Sequence, residues 1–83
     1  MTQSESSPTR DFIEYVVRLL AREPEQVVIE EEVDGNAYLY RLKVAPEDVG
    51  RIIGREGRIV RAIRSLLRAG AMRQGIRVSL EID

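Results

Sequence analysis

Gly54 and Gly57 bracket Arg55 and Glu56 in the stretch Val49-Gly50-Arg51-Ile52-Ile53-Gly54-Arg55-Glu56-Gly57-Arg58-Ile59-Val60-Arg61-Ala62-Ile63. Glycine lets a backbone turn sharply and lets another molecule come close to it. The turn feeds a helix beginning near Arg58, and the unpaired N–H groups and dipole of a helix N-terminus favour an anion. Arg55 and Arg58 add formal charge at the same place, so a phosphate is the natural fit. At 100° per residue from Arg58, Arg61, Arg64 and Arg68 fall at about 300°, 240° and 280°. The four arginines therefore share one arc of roughly 120°. No acidic residue interrupts that arc, whereas ordinary solvated helix faces mix signs.

Other chemistries are poorly supplied. The chain has no histidine and no cysteine, so the commonest general base, the commonest metal ligand and all thiolate chemistry are missing. No convergent set of carboxylates, tyrosines or lysine stands in for them, and the expectation is a non-enzyme with no cofactor and no metal. Glu30-Glu31-Glu32 cannot converge on a cation, because adjacent strand residues face opposite ways. Gly50, Gly54 and Gly57 do not have the spacing of a dinucleotide or P-loop fingerprint, and no Lys-Ser/Thr follows them.

Eighty-three residues, 43% of them apolar and 33% charged, suit one small domain. The net charge of −1 is an average over unlike halves. Residues 1–48 carry five positive and eleven negative side chains, whereas residues 49–83 carry eight arginines and three acids. A basic surface on an otherwise acidic protein points to anionic partners. The longest apolar run is Ala37-Tyr38-Leu39-Tyr40, four residues, where a membrane span needs roughly 20. No signal-peptide core follows Met1, and a cytoplasmic location is expected.

The elements that must position the loop are legible from periodicity. Residues 1–8 are expected to be a disordered tail and 9–83 the folded domain. Ser7-Pro8 has the form of a helix cap and first helical residue, and apolar positions 12, 13, 16, 17, 19 and 20 mark an amphipathic helix that Glu23-Pro24 stops. A strand over Val27–Val33, the hairpin signal Asp34-Gly35 and a return strand from about Asn36 to Val44 follow. Tyr38, Tyr40, Leu42 and Val44 share one face of that return strand, and Leu39, Arg41 and Lys43 the other. Pro46 opens a short helix ending at Gly54, with Glu47 and Asp48 suited to the positive end of its dipole, and a second runs from about Arg58 to Ala69. Gly70 to Gly75 reads as a loop. The final strand sets Ile76, Val78, Leu80 and Ile82 against Arg77, Ser79, Glu81 and Asp83. The order αββααβ predicts an α+β fold, a three-stranded sheet with three helices packed on one face.

Ile52-Ile53-Gly54-Arg55-Glu56-Gly57, with Val60 and Ile63 in register, resembles the KH-domain signature I-I-G-x-x-G-x-x-[IV]-x-x-[IL]. The element order matches the type II KH topology from about residue 9 to 83. The whole is similar to the stand-alone bacterial KH proteins of the KhpA family. The resemblance implies binding of single-stranded RNA, RNA-chaperone activity in post-transcriptional regulation, and a link to cell shape and envelope growth with a KhpB/Jag-like KH partner. In KH domains the GxxG loop clamps the backbone of about four nucleotides. Carried over by position, Gly54 and Gly57 admit the phosphates, and Arg55 and Arg58 supply charge. Val49, Ile52 and Ile53 form the apolar floor and its support. Arg41 and Lys43 are expected to build the far wall, and Arg51, Arg61 and Arg64 to flank the groove. Glu56 departs from the usual loop: a carboxylate beside phosphates weakens binding unless it points away or pairs with an arginine. With Tyr38 and Tyr40 assigned to the core, binding is expected to be shape-led and of low specificity.

The arginine helix also has an apolar arc wider than one core contact needs. Val60, Ile63 and Leu67 form its core side. Ile59, Ala62, Leu66 and Ala69 form a flank that either the first helix covers or a second copy or partner occupies as a dimer seam. Three readings therefore stand: an RNA-binding module, a protein-interaction scaffold on the KH fold, and a single-stranded DNA binder, since nothing in the sequence reports on the 2′-hydroxyl.

Overall fold

The computed structural model describes residues 8–83. Residues 1–7 of the expected tail, with the Ser7 cap, lie outside the described residues, whereas Pro8, also assigned to the tail, is the first residue of the first helix. The elements are α1 (Pro8–Leu20), β1 (Val28–Asp34), β2 (Ala37–Lys43), α2 (Val49–Ile53), α3 (Arg58–Gln74) and β3 (Arg77–Ile82). Short 3₁₀ turns open at Pro24, Pro46 and Arg55. The sheet order is β1-β2-β3, with β1 antiparallel and β3 parallel to β2. This is the expected α+β order, αββααβ.

The apolar stripe of α1 buries Ile13 and Val17, and Phe12, Val16 and Leu20 pack at its margins. On the sheet, the rows Ile29–Leu42–Ile82, Glu31–Tyr40–Leu80 and Val33–Tyr38–Val78 face the helices. The core they build with Ile52, Ile63 and Leu67 lies on that one side. Tyr40 is buried, and its hydroxyl donates to Glu31 at 2.7 Å, so the polar tip is satisfied. Glu32 turns to the opposite face and meets Arg41 there, as strand alternation requires. The hairpin turn is Gly35-Asn36, one residue later than Asp34-Gly35 implied, and only its glycine has positive φ.

One boundary differs substantially from the sequence expectation. The arginine helix does not stop at Ala69; it runs to Gln74. Gly70 weakens a helix interior by only about 1 kcal/mol. Burial of Ala71, the next step of the Ile63–Leu67 stripe, offsets it. The true stop is Gly75 at φ +72, where the Gly75 N–H bonds the Met72 carbonyl and the Ile76 N–H bonds the Ala71 carbonyl, a Schellman closure. Ile76 is thereby spent on the cap, and β3 starts at Arg77.

Asp48, read from sequence only as a dipole residue, is the buried polar anchor of the domain. Its two carboxylate oxygens accept the backbone N–H groups of Arg22 and Glu23, each at 3.0 Å, tying the end of α1 to the start of α2. Those two bonds, the Arg22 one foremost, together with Arg51, hold its pKa below the ordinary aspartate value. The ionised form is the one the fold favours. Its stabilisation is complete above a pH of about 4 and drains away as the pH falls through the lowered folded value. Asp48→Asn replaces one acceptor with a donor facing a buried N–H. The variant is expected to melt about 5–15 °C lower at neutral pH, and to lose most of the wild-type protein's acid dependence. An unchanged melting curve from pH 7 to pH 3 in wild type would contradict the role.

Candidate nucleic-acid interface

Two glycines shape the loop for different reasons. Gly54 has φ +80 and ψ 171, a region closed to other residues. A Cβ there would also lie 2.7 Å from Cγ1 and 3.0 Å from the backbone nitrogen of Ile59. Gly57, at φ +74, needs glycine for conformation alone, since a Cβ would meet nothing nearer than 4.0 Å. Gly54 is thus the packing glycine, and Gly57 presents open backbone outward. Gly54→Ala is expected to lower the melting temperature by about 10 °C or more, and Gly57→Ala by about 5 °C. Equal shifts in thermal unfolding would remove the distinction.

Gly57 is the N-cap of α3, and no side chain caps that end. Arg55 and Arg58 are exposed. Glu56 takes the left-handed conformation at φ 55 and lies 3.8 Å from Arg58 Nη2, with both side chains mostly in solvent. The carboxylate therefore has a cation of its own loop within ion-pair range, though solvent screens the contact. No acidic residue occurs in α3, so the dipole's positive end and the arginines act with one sign.

The remaining expected site residues divide. Arg51 lies beside the loop, its Nε 3.6 Å from Asp48. Ile52 is fully buried in the core, so it supports the floor and offers no surface; Ile53 and Val49 are half-buried and can offer some. Arg61 is exposed. Arg64 donates to the Leu80 carbonyl at 2.9 Å, bridging α3 to β3. Between them a shallow groove is lined by Arg64, Leu67, Arg68, Val78, Ser79 and Leu80, and it runs along α3 on the arginine side. Arg41 and Lys43 are not brought to the loop. They project from the helix-free face of β2, the central strand, where Arg41 bonds Glu32 and reaches Glu81 at 3.5 Å. The strand beside α3 is β3. Sequence order leaves that open, because only the parallel β2–β3 pairing puts β3 at the edge. Arg68, Ser79 and Leu80 were missed as groove residues for this reason.

The flank of α3 is uncovered. Ile59 is half-buried against Gly54, but α2 has only five residues and is outrun by the seventeen of α3. Ala62 and Ala69 are exposed, and Leu66 is 59% exposed. The first helix does not take this role; its own stripe is used against the sheet.

The family model for the KhpA/KhpB KH domain matches residues 10–82. The chain belongs to this family. Among curated relatives, the RNA-binding protein KhpA of Chlamydia trachomatis is 45% identical over 73 residues, covering 88% of this chain and 94% of that protein. The RNA-binding protein KhpA of Clostridium perfringens is 36% identical over 73 residues, with 88% and 97% covered. Among solved structures, an Aquifex aeolicus Era superposes with a TM-score of 0.56 at 17% identity over 89% of this chain. An Era in complex with MgGDPNP and nucleotides 1506-1542 of 16S ribosomal RNA gives 0.56 at 15% identity over 99%. This chain spans 29% and 35% of those two longer chains, and the likeness shows a shared fold. The KhpA/KhpB assignment accords with the type II KH order found here. No helix among the described residues is long and apolar enough to cross a membrane.

Proposed function

We propose that this KhpA/KhpB-family chain binds single-stranded RNA, with Gly54–Gly57 and the N-terminus of α3 clamping the phosphates and the α3–β3 groove receiving the bases. The observation that carries the reading is Gly57, with open space where a Cβ would stand, leading into an acid-free helix that has no side-chain cap, with Arg55 and Arg58 exposed beside it. Arg51, Arg61, Arg64 and Arg68 line the approach, and Ile53 contributes floor. Curated relatives named RNA-binding proteins support the same reading. Few aromatic rings are available for stacking, so the contacts are mainly to backbone and shape, as suits an RNA chaperone acting on many transcripts.

A direct test is fluorescence anisotropy of an unstructured U-rich strand titrated at several salt concentrations. With three to four phosphates neutralised, the log–log slope is about −2 to −3, and affinity falls roughly 20–50-fold between 50 and 200 mM salt. Binding that ignores salt contradicts the clamp. The same titration with single-stranded DNA decides whether the 2′-hydroxyl is read.

The exposed flank supports a second, compatible role. Leu66 sits at the centre of a nearly self-complementary face, with Ala62 and Ala69 about one turn to either side. A second copy fits such a face through a two-fold axis. A KhpB/Jag-like KH chain presenting a similar helix is the heterologous counterpart, and through it the family's link to cell shape and envelope growth extends to this protein. Pulldown with and without nuclease separates a protein-held partner from an RNA-held one.

A further inference from the structure

In projection Leu66 lies at about 80° and the groove arginines Arg64 and Arg68 at about 240° and 280°. The seam and the groove thus occupy opposite sides of α3, and pairing through Leu66 leaves both grooves open on the outside. A two-fold axis can relate the helices in parallel or antiparallel fashion. Parallel pairing sets the two positive helix N-termini, with Arg55 and Arg58 of both copies, at the same end, where Glu56 is the one acid of the loop and α3 itself has none. Antiparallel pairing separates those ends and sets each helix's positive N-terminus beside the other's negative C-terminus. It is the arrangement that the charges favour.

We infer that the paired protein takes one RNA strand across both grooves, and that this strand must turn back between them because the two grooves run in opposite directions. The inference rests on the RNA-binding and dimer reading above. Leu66 is eight residues from Arg58, so the two loops lie about 24 Å apart along the helix axes. The grooves add a comparable distance across the pair, because each faces away from a seam whose axes are about 8–10 Å apart. The strand leaves one groove near Arg68, about 3 Å beyond Leu66, and enters the other at its loop, about 12 Å beyond Leu66 on the same side. With about 20 Å across the pair, the span from exit to entry is about 22 Å. Each groove holds about four nucleotides. Bridging takes up to about seven more at the 3.4 Å spacing of a stacked strand, and fewer when it is extended. High affinity therefore sets in between about 10 and 15 nucleotides, and only for RNA that is flexible in its middle.

The experiment measures binding of unstructured U-rich strands of 6, 12, 18 and 24 nucleotides to the wild-type chain and to Leu66→Asp, at one salt concentration, with sedimentation of both proteins. Both should bind the 6-nucleotide strand alike. Wild type should gain at least about 30-fold between 6 and 24 nucleotides and bind one long strand per two chains, while Leu66→Asp gains only a few-fold from extra registers. Annealing a complementary strand to the middle of the 24-nucleotide RNA should abolish the wild-type gain. A wild type that sediments as a dimer and binds the short strand, yet gains no more with length than Leu66→Asp, overturns the bridging inference alone. A monomeric wild type overturns it together with the dimer reading. Failure to bind any of the strands overturns it together with the RNA reading.

Discussion

Arg55→Asp combined with Glu56→Asp should abolish RNA binding while leaving the fold intact. Arg55 is exposed and makes no ion pair among the described residues, so its replacement withdraws a charge from solvent and from no native partner. Glu56→Asp keeps the charge and draws the carboxylate back toward the backbone, away from Arg58, which it now reaches only at 3.8 Å. Aspartate also tolerates the left-handed conformation better than most residues, so φ 55 at position 56 remains accessible. The loop's formal charge changes from zero to −2 over these two positions, directly at the helix end where phosphate is expected. Losing one charged hydrogen bond costs about 1.5–3 kcal/mol, or roughly 10–150-fold in affinity, and the new repulsion adds to it. The measurement is anisotropy against the same U-rich strand, with circular dichroism and melting temperature within a few degrees of wild type. Unaltered affinity in a folded double variant would move the binding site away from the loop.

The loop was readable because its chemistry is local. Gly54, Gly57 and the arginines act through backbone conformation and helix register, both of which follow from short-range spacing. Where side chains meet across the sheet, the sequence was a poorer guide. Arg41 and Lys43 were correctly placed on the outer face of β2. Their role depended on whether β2 or β3 borders α3, and alternation does not report strand order. Gly70 was mistaken for a helix stop because propensity spoke locally, while the burial of Ala71 that overrides it is a tertiary contact. Asp48 looked like one more acid in a helix's first turn. That it is buried and bound by the backbone of Arg22 and Glu23, about 25 residues away, is invisible until the chain closes on itself. The flank of α3 was legible as surplus apolar area, but its exposure follows from the shortness of α2 and the commitment of α1 to the sheet.

Leu66→Asp should convert a dimer to a folded monomer. In the single chain Leu66 is 59% exposed, so the substitution empties no core, and an aspartate in an exposed helix position costs only a few tenths of a kcal/mol. In the proposed pair the same position lies next to the two-fold axis and is altered twice. Burying a fully exposed leucine side chain is worth about 1.5–3 kcal/mol, and with 59% of each Leu66 left to bury, losing two removes about 2–3.5 kcal/mol, roughly 20–400-fold in dissociation constant. The two introduced carboxylates would also face each other with no cation designed to meet them, which adds a like-charge and desolvation cost. Tyr15→Asp is the matched control: Tyr15 is 67% exposed, but on α1 and away from this seam. Sedimentation of the three proteins over a range of concentrations should show a lighter species for Leu66→Asp alone, with its helix content unchanged. If Tyr15→Asp dissociates the pair and Leu66→Asp does not, the seam lies on α1; if wild type is already monomeric, the exposed leucine serves another partner, and the α3 flank of a KhpB/Jag-like chain becomes the first to test.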